Sequence, residues 1–314
     1  MKNEYYVLNS VQSHIITWGN PCHSNGNDII LCITGNPGIT DFYIEFASEL
    51  HKTTGSPLCI IGQAGHEEVP DQMSNCLKHQ EHLFNLEGQI LHKLELINNY
   101  IDKKAQLHLI GHSIGAWLIL ELLKENDGLR KRIASINLLF PTLQRMAETN
   151  NGIYLNSFIR KCHVLVLLLF QLVNLFPAFI ISLLIRVYLK LHSLPLCCLE
   201  RTLKFLNPKV GEKVLFLAYN EMDLVKKLNI EVLDTVKHLT NVIYSSKDNW
   251  APLHYMEDLK VLQPSLQMRQ VDIDHAFVLK SSELVAEMVS EFIKPRTTVG
   301  FNGKPQLNAW LTLK

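Results

Sequence analysis

Gln106-Leu107-His108-Leu109-Ile110-Gly111-His112-Ser113-Ile114-Gly115-Ala116-Trp117-Leu118-Ile119 carries the reading of the whole chain. Residues 106–110 form a short apolar run of the length and character of a buried strand. Residues 116–124 read as a helix, Ala116-Trp117-Leu118-Ile119-Leu120-Glu121-Leu122-Leu123-Lys124. Between them lies Gly-x-Ser-x-Gly. In strand–turn–helix context that pattern is a nucleophile elbow. The turn is so tight that a Cβ at Gly111 or Gly115 would meet backbone, and it holds Ser113 in a strained conformation with its hydroxyl presented. The helix that follows aims backbone N–H groups and its positive dipole end at the serine. The pattern alone arises often by chance; the flanking strand and helix are what give it meaning.

Working outward, strands and helices alternate. Residues 5–8 and 14–18 read as two antiparallel strands. Residues 28–34 form a continuous apolar strand ending in Gly35-Asn36-Pro37-Gly38, and 42–51 repeat apolar residues at helical spacing. Residues 58–61 form another buried strand, ending in Gly62-Gln63-Ala64-Gly65-His66, and 77–101 read as one long amphipathic helix. After the elbow come a strand at 133–140, a helix at 213–228, a strand at 241–245, a helix at 253–262, a strand at 266–271 and a closing helix at 283–293. This rhythm predicts an α/β-hydrolase fold: a doubly wound, mostly parallel sheet. It breaks after Pro141. The expected organisation is a core in two parts (1–141 and 213–294), an apolar insertion (142–212) and a Pro/Gly-rich disordered tail (295–314).

A serine hydroxyl needs a base to take its proton, and the base needs a partner that fixes its tautomer. In this fold the order along the chain is serine, acid, histidine. Asp248 lies just after the 241–245 strand, in Lys247-Asp248-Asn249-Trp250. His275 lies just after the 266–271 strand, in Asp272-Ile273-Asp274-His275-Ala276-Phe277. Position therefore selects His275 from fourteen histidines. Asp223 falls on a helix, Asp272 and Asp274 are too close along the chain to orient His275, and His254 reads as a helix-start residue. The oxyanion hole is expected from the backbone N–H groups of Ile114 and Asn36, with Gly35 and Gly38 letting the backbone approach the substrate carbonyl. His66 and Asp71 make a His-x-x-x-x-Asp spacing known from acyltransferases, read here as coincidence.

The 314 residues are 47% hydrophobic, and 30 basic residues balance 30 acidic ones. With no basic stripe, nucleic acid is not an expected partner. No apolar run at the N-terminus resembles a signal peptide. The seven cysteines are scattered, odd in number and without metal-ligand spacing, which points to a reducing compartment. Neither metal nor cofactor is implied.

The insertion holds a nearly unbroken apolar stretch, 164–185, long enough to span a bilayer. A full span would put Ser113 on one side of the membrane and Asp248 and His275 on the other. Pro177 breaks the run near its middle, and Arg160, Lys161, Arg186 and Lys190 flank it on both sides. A monotopic hairpin with both ends on the cytosolic face is the expected form. A soluble cap over the site is the alternative. Residues 191–199 add apolar surface.

Together, Gly35-Asn36-Pro37-Gly38 with Phe42-Tyr43, Gly65-His66, the elbow, the insertion with Pro177, and Asp274-His275-Ala276-Phe277 resemble the lipid droplet-associated hydrolase family, up to about residue 294. The resemblance implies a Ser113–Asp248–His275 triad and a serine hydrolase of lipid esters, cholesteryl ester-like in class. It also implies association with the phospholipid monolayer of lipid droplets or the cytosolic face of the endoplasmic reticulum. Two other readings remain open at this point: an acyltransferase or thioesterase using the same serine, and a lipid-surface interaction protein with residual hydrolase activity.

Overall fold

The computed structural model describes residues 1–70, 75–124 and 126–297. Asp71 and the tail expected beyond 297 lie outside the described residues. Eight strands form one sheet: β1 (Lys2–Leu8), β2 (Val11–Trp18), β3 (Ile29–Ile33), β4 (Leu58–Ile61), β5 (Leu107–His112), β6 (Ile133–Leu139), β7 (Thr240–Ser245) and β8 (Gln267–Val271). Their spatial order is β1-β2-β4-β3-β5-β6-β7-β8. The β1–β2 and β2–β4 pairs are antiparallel and every other pair is parallel.

Twelve α-helices are described: α1 (Ile44–Thr54), α2 (Leu86–Asn99), α3 (Ile114–Lys124), α4 (Asp127–Arg130), α5 (Asn150–Tyr154), α6 (His163–Leu175), α7 (Ala178–Leu191), α8 (Cys198–Leu206), α9 (Pro208–Leu224), α10 (Ile230–Val236), α11 (Leu253–Leu262) and α12 (Ser282–Ile293). Side chains alternate across the sheet as the period of two requires. Ile29, Leu31 and Ile33 of β3 enter one core with residues of α2, α3, α10 and α11. Ile30 and Cys32 enter the other, with Phe46 and Leu50 of α1 and Val285 and Val289 of α12. Burial on both faces explains why β3 and β4 read as unbroken apolar runs. Each such Leu or Ile contributes about 1.5–3 kcal/mol by burial.

The long helix expected at 77–101 begins only at Leu86. Asn85 caps it, its side chain accepting from the Gly88 N–H, and a separate 3₁₀ turn precedes it at Glu81–Leu83. The apolar pattern continues through Leu83 and Phe84 because both are buried in a small cluster of their own, not because the helix does. Likewise α9 starts at Pro208 behind the Asn207 cap, so it runs across the boundary expected at 212/213.

The insertion is helical and breaks at Pro177, between α6 and α7. These helices have 13 and 14 residues. At ~1.5 Å per residue each is about 20 Å long, well short of a ~30 Å hydrocarbon core. Among the described residues no single helix is long and apolar enough to cross a membrane; one bent pair, Asn150–Ile159 with His163–Val173, passes on length and composition with an 85° bend. Phe170, Ile185 and Leu189 pack inward, but most apolar side chains of α6 and α7 point outward: Val164 is 70% exposed, Leu175 81%, Phe179 72% and Leu191 76%.

Candidate active site

β5 lies at the centre of the sheet, and Ser113 follows it directly. Its φ is +54°, in the left-handed region. The elbow is pinned by backbone bonds. Ser113 N–H donates to the Leu139 carbonyl (3.0 Å), while the Ser113 carbonyl accepts from Ala116 N–H (3.0 Å) and Thr142 N–H (3.3 Å). The glycines are close-approach positions. A Cβ on Gly111 would stand 2.6 Å from the Gly115 carbonyl oxygen, and one on Gly115 would stand 2.4 Å from that of Ile33. No side chain fits at those distances.

The carboxyl ends of β5, β7 and β8 bring three side chains into line. His275 Nε2 is 3.0 Å from Ser113 Oγ. His275 Nδ1 is 2.6 Å from Asp248 Oδ2. Asp248 uses its other oxygen to accept from Trp250 N–H (2.8 Å) and Ala251 N–H (3.0 Å). Burial raises the Asp248 carboxyl, but the hydrogen bond and charge of His275 together with those two N–H groups outweigh it, leaving the carboxyl below its usual range. Asp248 is therefore the ionised acceptor that holds the His275 proton on Nδ1 and leaves Nε2 to accept from Ser113. The Asp248 side chain is fully enclosed, while that of His275 is 18% exposed, so the line meets the outside at His275 rather than at its acid end.

The competing residues have other partners. Asp223 on α9 pairs with Arg160 at 2.7 Å, and Asp272 pairs with Lys247 at 2.6 Å. His254 is exposed near the start of α11 and packs edge-on to Tyr255. His66 is buried, accepts from Gly38 N–H at 3.0 Å and is held neutral, its pKa lowered to about 3 chiefly by burial.

Ile114 opens α3 and Asn36 stands in the loop after β3, beside the elbow. In that loop Gly35 N–H is committed to Tyr43 Oη (2.8 Å). Gly35 leaves room beside the elbow: a Cβ there would lie a tight 3.1 Å from Ser113 Cβ and from His112 Nδ1. At Gly38 a Cβ would strike Gln63 at 2.4 Å, so this glycine lets the loop pack against the one after β4. Gln63 in turn donates from Nε2 to the Thr34 carbonyl (2.6 Å) and accepts from Nζ of the buried Lys93 (2.7 Å).

Sequence reasoning missed His112 and Tyr43. Tyr43 Oη lies 2.6 Å from His112 Nδ1, and His112 Nε2 lies 2.9 Å from the His275 carbonyl oxygen. A carbonyl only accepts, so His112 carries its proton on Nε2, and Tyr43 donates to Nδ1. The result is one chain: Gly35 N–H to Tyr43, Tyr43 O–H to His112, His112 N–H to the His275 backbone. Burial, then the neighbouring His275, lowers the His112 pKa to about 3, so it stays neutral. The available signal was a histidine at the first variable position of the Gly-x-Ser-x-Gly motif, directly after the apolar run of β5. Among the described residues no group of three or more His, Cys, Asp or Glu is placed to hold a metal ion.

Comparison with known proteins adds two findings. The profile of the family described as lipid-droplet associated hydrolase matches residues 26–278. A lipid droplet-associated hydrolase of Drosophila melanogaster is 39% identical over 308 residues, covering 95% of this chain and 100% of its own. The Homo sapiens protein of the same name is 32% identical, covering 85% of this chain and 84% of its own. Among solved structures, a serine hydrolase from Cycloclasticus zankles superposes with a TM-score of 0.63 at 15% identity, covering 96% of this chain and 99% of that one. At that identity the likeness shows the fold alone: the α/β-hydrolase fold, with the expected doubly wound, mostly parallel sheet.

Proposed function

Because this chain belongs to the lipid droplet-associated hydrolase family, we propose that it is a serine hydrolase cleaving lipid esters, cholesteryl ester-like in class, at the droplet surface. The observation that carries this reading is the Ser113–His275–Asp248 line, with contacts of 3.0 and 2.6 Å. Ser113 Oγ attacks the ester carbonyl carbon as His275 Nε2 takes the hydroxyl proton. Asp248 orients the imidazole and stabilises its cation. The carbonyl oxygen becomes an oxyanion and meets the N–H groups of Ile114 and Asn36. Collapse of the tetrahedral intermediate breaks the bond to the alcohol oxygen, which receives the proton from His275. Water, deprotonated by the same nitrogen, then attacks the acyl-enzyme, releases the fatty acid and restores Ser113. This route runs through the chain's own side chains and backbone N–H groups.

The outward apolar faces of α6 and α7 support docking on a phospholipid monolayer. A droplet has a single leaflet over oil, where a helix with two aqueous ends cannot reside; two short helices broken at Pro177 can lie in that leaflet. The same docking would serve on the cytosolic face of the endoplasmic reticulum. The α6 helix packs on α9, with Phe170 against Gly211, and α9 reaches Asn36, so the apolar face and the reacting serine belong to one rigid neighbourhood.

The test is fatty-acid release from an emulsified cholesteryl ester by purified protein. Wild type is expected to turn over, and Ser113→Ala to fall to background, a loss on the order of a millionfold. Hydrolysis persisting in folded Ser113→Ala would overturn the assignment.

A further inference from the structure

Asn36 is gripped from outside its own loop. Its side-chain Nδ2 donates to Glu221 Oε1 at 2.9 Å and to the Val214 carbonyl at 3.2 Å, both on α9. Because the Val214 carbonyl only accepts, the amide orientation is fixed, and Glu221 is an acceptor here. Glu221 is 3% exposed, and among the described residues it faces no cation at ion-pair distance. A carboxyl buried without a counter-charge costs stability, and such groups concentrate at functional sites. Burial raises its pKa to about 8 despite the Asn36 bond, so at neutral pH it is a neutral acid.

The support behind Glu221 is rigid. Its neighbour Asn220 accepts the N–H of Leu86 at the start of α2 (2.8 Å). Just past α9, the carbonyls of Val225 and Lys226 accept the N–H groups of Met146 (3.1 Å) and Arg145 (3.2 Å). The helix is thus tied to the core at the turn that carries Glu221. The other end of the loop is fixed too, through Gly35 N–H to Tyr43 and Gly38 N–H to His66. Asn36 stands between these anchors.

We propose that Glu221 is a positioning residue of the oxyanion hole: from α9 it holds the Asn36 side chain and so sets the Asn36 backbone N–H against the oxyanion formed at Ser113. This rests on the serine-hydrolase reading above. Preorganised donors act on the transition state and much less on bound substrate, and a displacement of about 1 Å can cost on the order of a hundredfold. The expected signature of a lost grip is therefore a fall in kcat with little change in KM.

The experiment compares full-length wild type, Ser113→Ala, Glu221→Leu, Glu221→Gln and Asn36→Ala on a short-chain soluble ester, which takes lipid docking out of the measurement. Affinity for a trifluoromethyl ketone, which forms a tetrahedral adduct, is measured alongside. Glu221→Leu is expected to lose about ten- to hundredfold in kcat with KM within about threefold, and to bind the ketone weaker by a similar factor. Glu221→Gln keeps an acceptor oxygen in a neutral group and is expected to recover most of the loss. Asn36→Ala keeps the backbone N–H but removes the gripped amide, so it is expected to match Glu221→Leu and carries the test if that variant fails to fold. The proposal is overturned if Glu221→Leu and Asn36→Ala hold kcat and ketone affinity within twofold of wild type, or if Glu221→Gln is as impaired as Glu221→Leu. Hydrolysis surviving in Ser113→Ala would overturn the underlying reading instead, so the two failures are told apart.

Discussion

Tyr43→Phe removes one oxygen atom and breaks two buried hydrogen bonds. The hydroxyl accepts from Gly35 N–H at 2.8 Å and donates to His112 Nδ1 at 2.6 Å. Burial pushes its pKa well up, so it is a neutral hydroxyl at any ordinary pH. The phenylalanine ring fills the same space, so no cavity forms and the lost packing is small. What remains is a backbone N–H and an imidazole nitrogen, both buried and left without their partner. An unsatisfied buried polar group costs about 1–3 kcal/mol, so the pair predicts about 2–6 kcal/mol. For a chain of this size that lowers Tm by about 3–9 °C. Because His112 Nε2 also steadies the His275 backbone, turnover of a soluble ester should fall as well. The assay is urea and thermal unfolding beside Tyr154→Phe, whose ring is 58% exposed and whose change should be near neutral. A Tyr43→Phe protein with Tm and turnover indistinguishable from wild type would refute the view that this hydroxyl links the Asn36 loop to the His275 loop.

Three more outcomes are expected. Asp248→Asn should lower turnover about ten-thousandfold, because an amide cannot hold the required tautomer or balance the imidazolium; Asp223→Asn and Asp272→Asn, which lose only exposed ion pairs, should stay within a few-fold when assayed on the same ester. Replacing Leu168, Leu172 and Leu184 with Asp should weaken binding to phospholipid-coated droplets at least about a hundredfold, given about 1.5–3 kcal/mol per buried large side chain, while soluble-ester turnover is retained; unchanged flotation with droplets would make the insertion a cap only. Glu221, whose pKa rises from 4.5 to about 8 on folding, makes a contribution to stability that is full below pH 4.5 and is lost as pH rises toward 8, by up to about 1.4 kcal/mol per unit. Glu221→Gln should remove that decline, visible as a flatter dependence of the unfolding midpoint on pH; equal slopes would contradict it.

Much of this arrangement was legible in the sequence because it is local. The elbow needs glycine at 111 and 115 for reasons a pattern can carry, and the structure shows backbone at 2.6 and 2.4 Å from where their Cβ atoms would stand. Asp248 and His275 were found by topology: each follows a strand that had to be late in the sheet, and the structure brings both to Ser113. The break at Pro177 was equally local. What escaped depends on partners far along the chain. Tyr43 meets His112 across 69 positions and Asn36 meets Glu221 across 185, and nothing in a helix-forming stretch marks one glutamate of α9 as buried. The start of α2 was misplaced because an apolar residue looks the same in a helix and in the turn packed before it; only the Asn85 cap separates them.

The central claim is that Ser113 is an activated nucleophile. Its most direct test is reaction of the purified protein with a fluorophosphonate probe, followed by peptide mass analysis of the labelled site. A stoichiometric adduct on Ser113 is expected, lost in Ser113→Ala and strongly slowed in His275→Ala, where no base takes the hydroxyl proton. An unlabelled Ser113 in folded wild type, or an adduct on a different residue, would contradict the account.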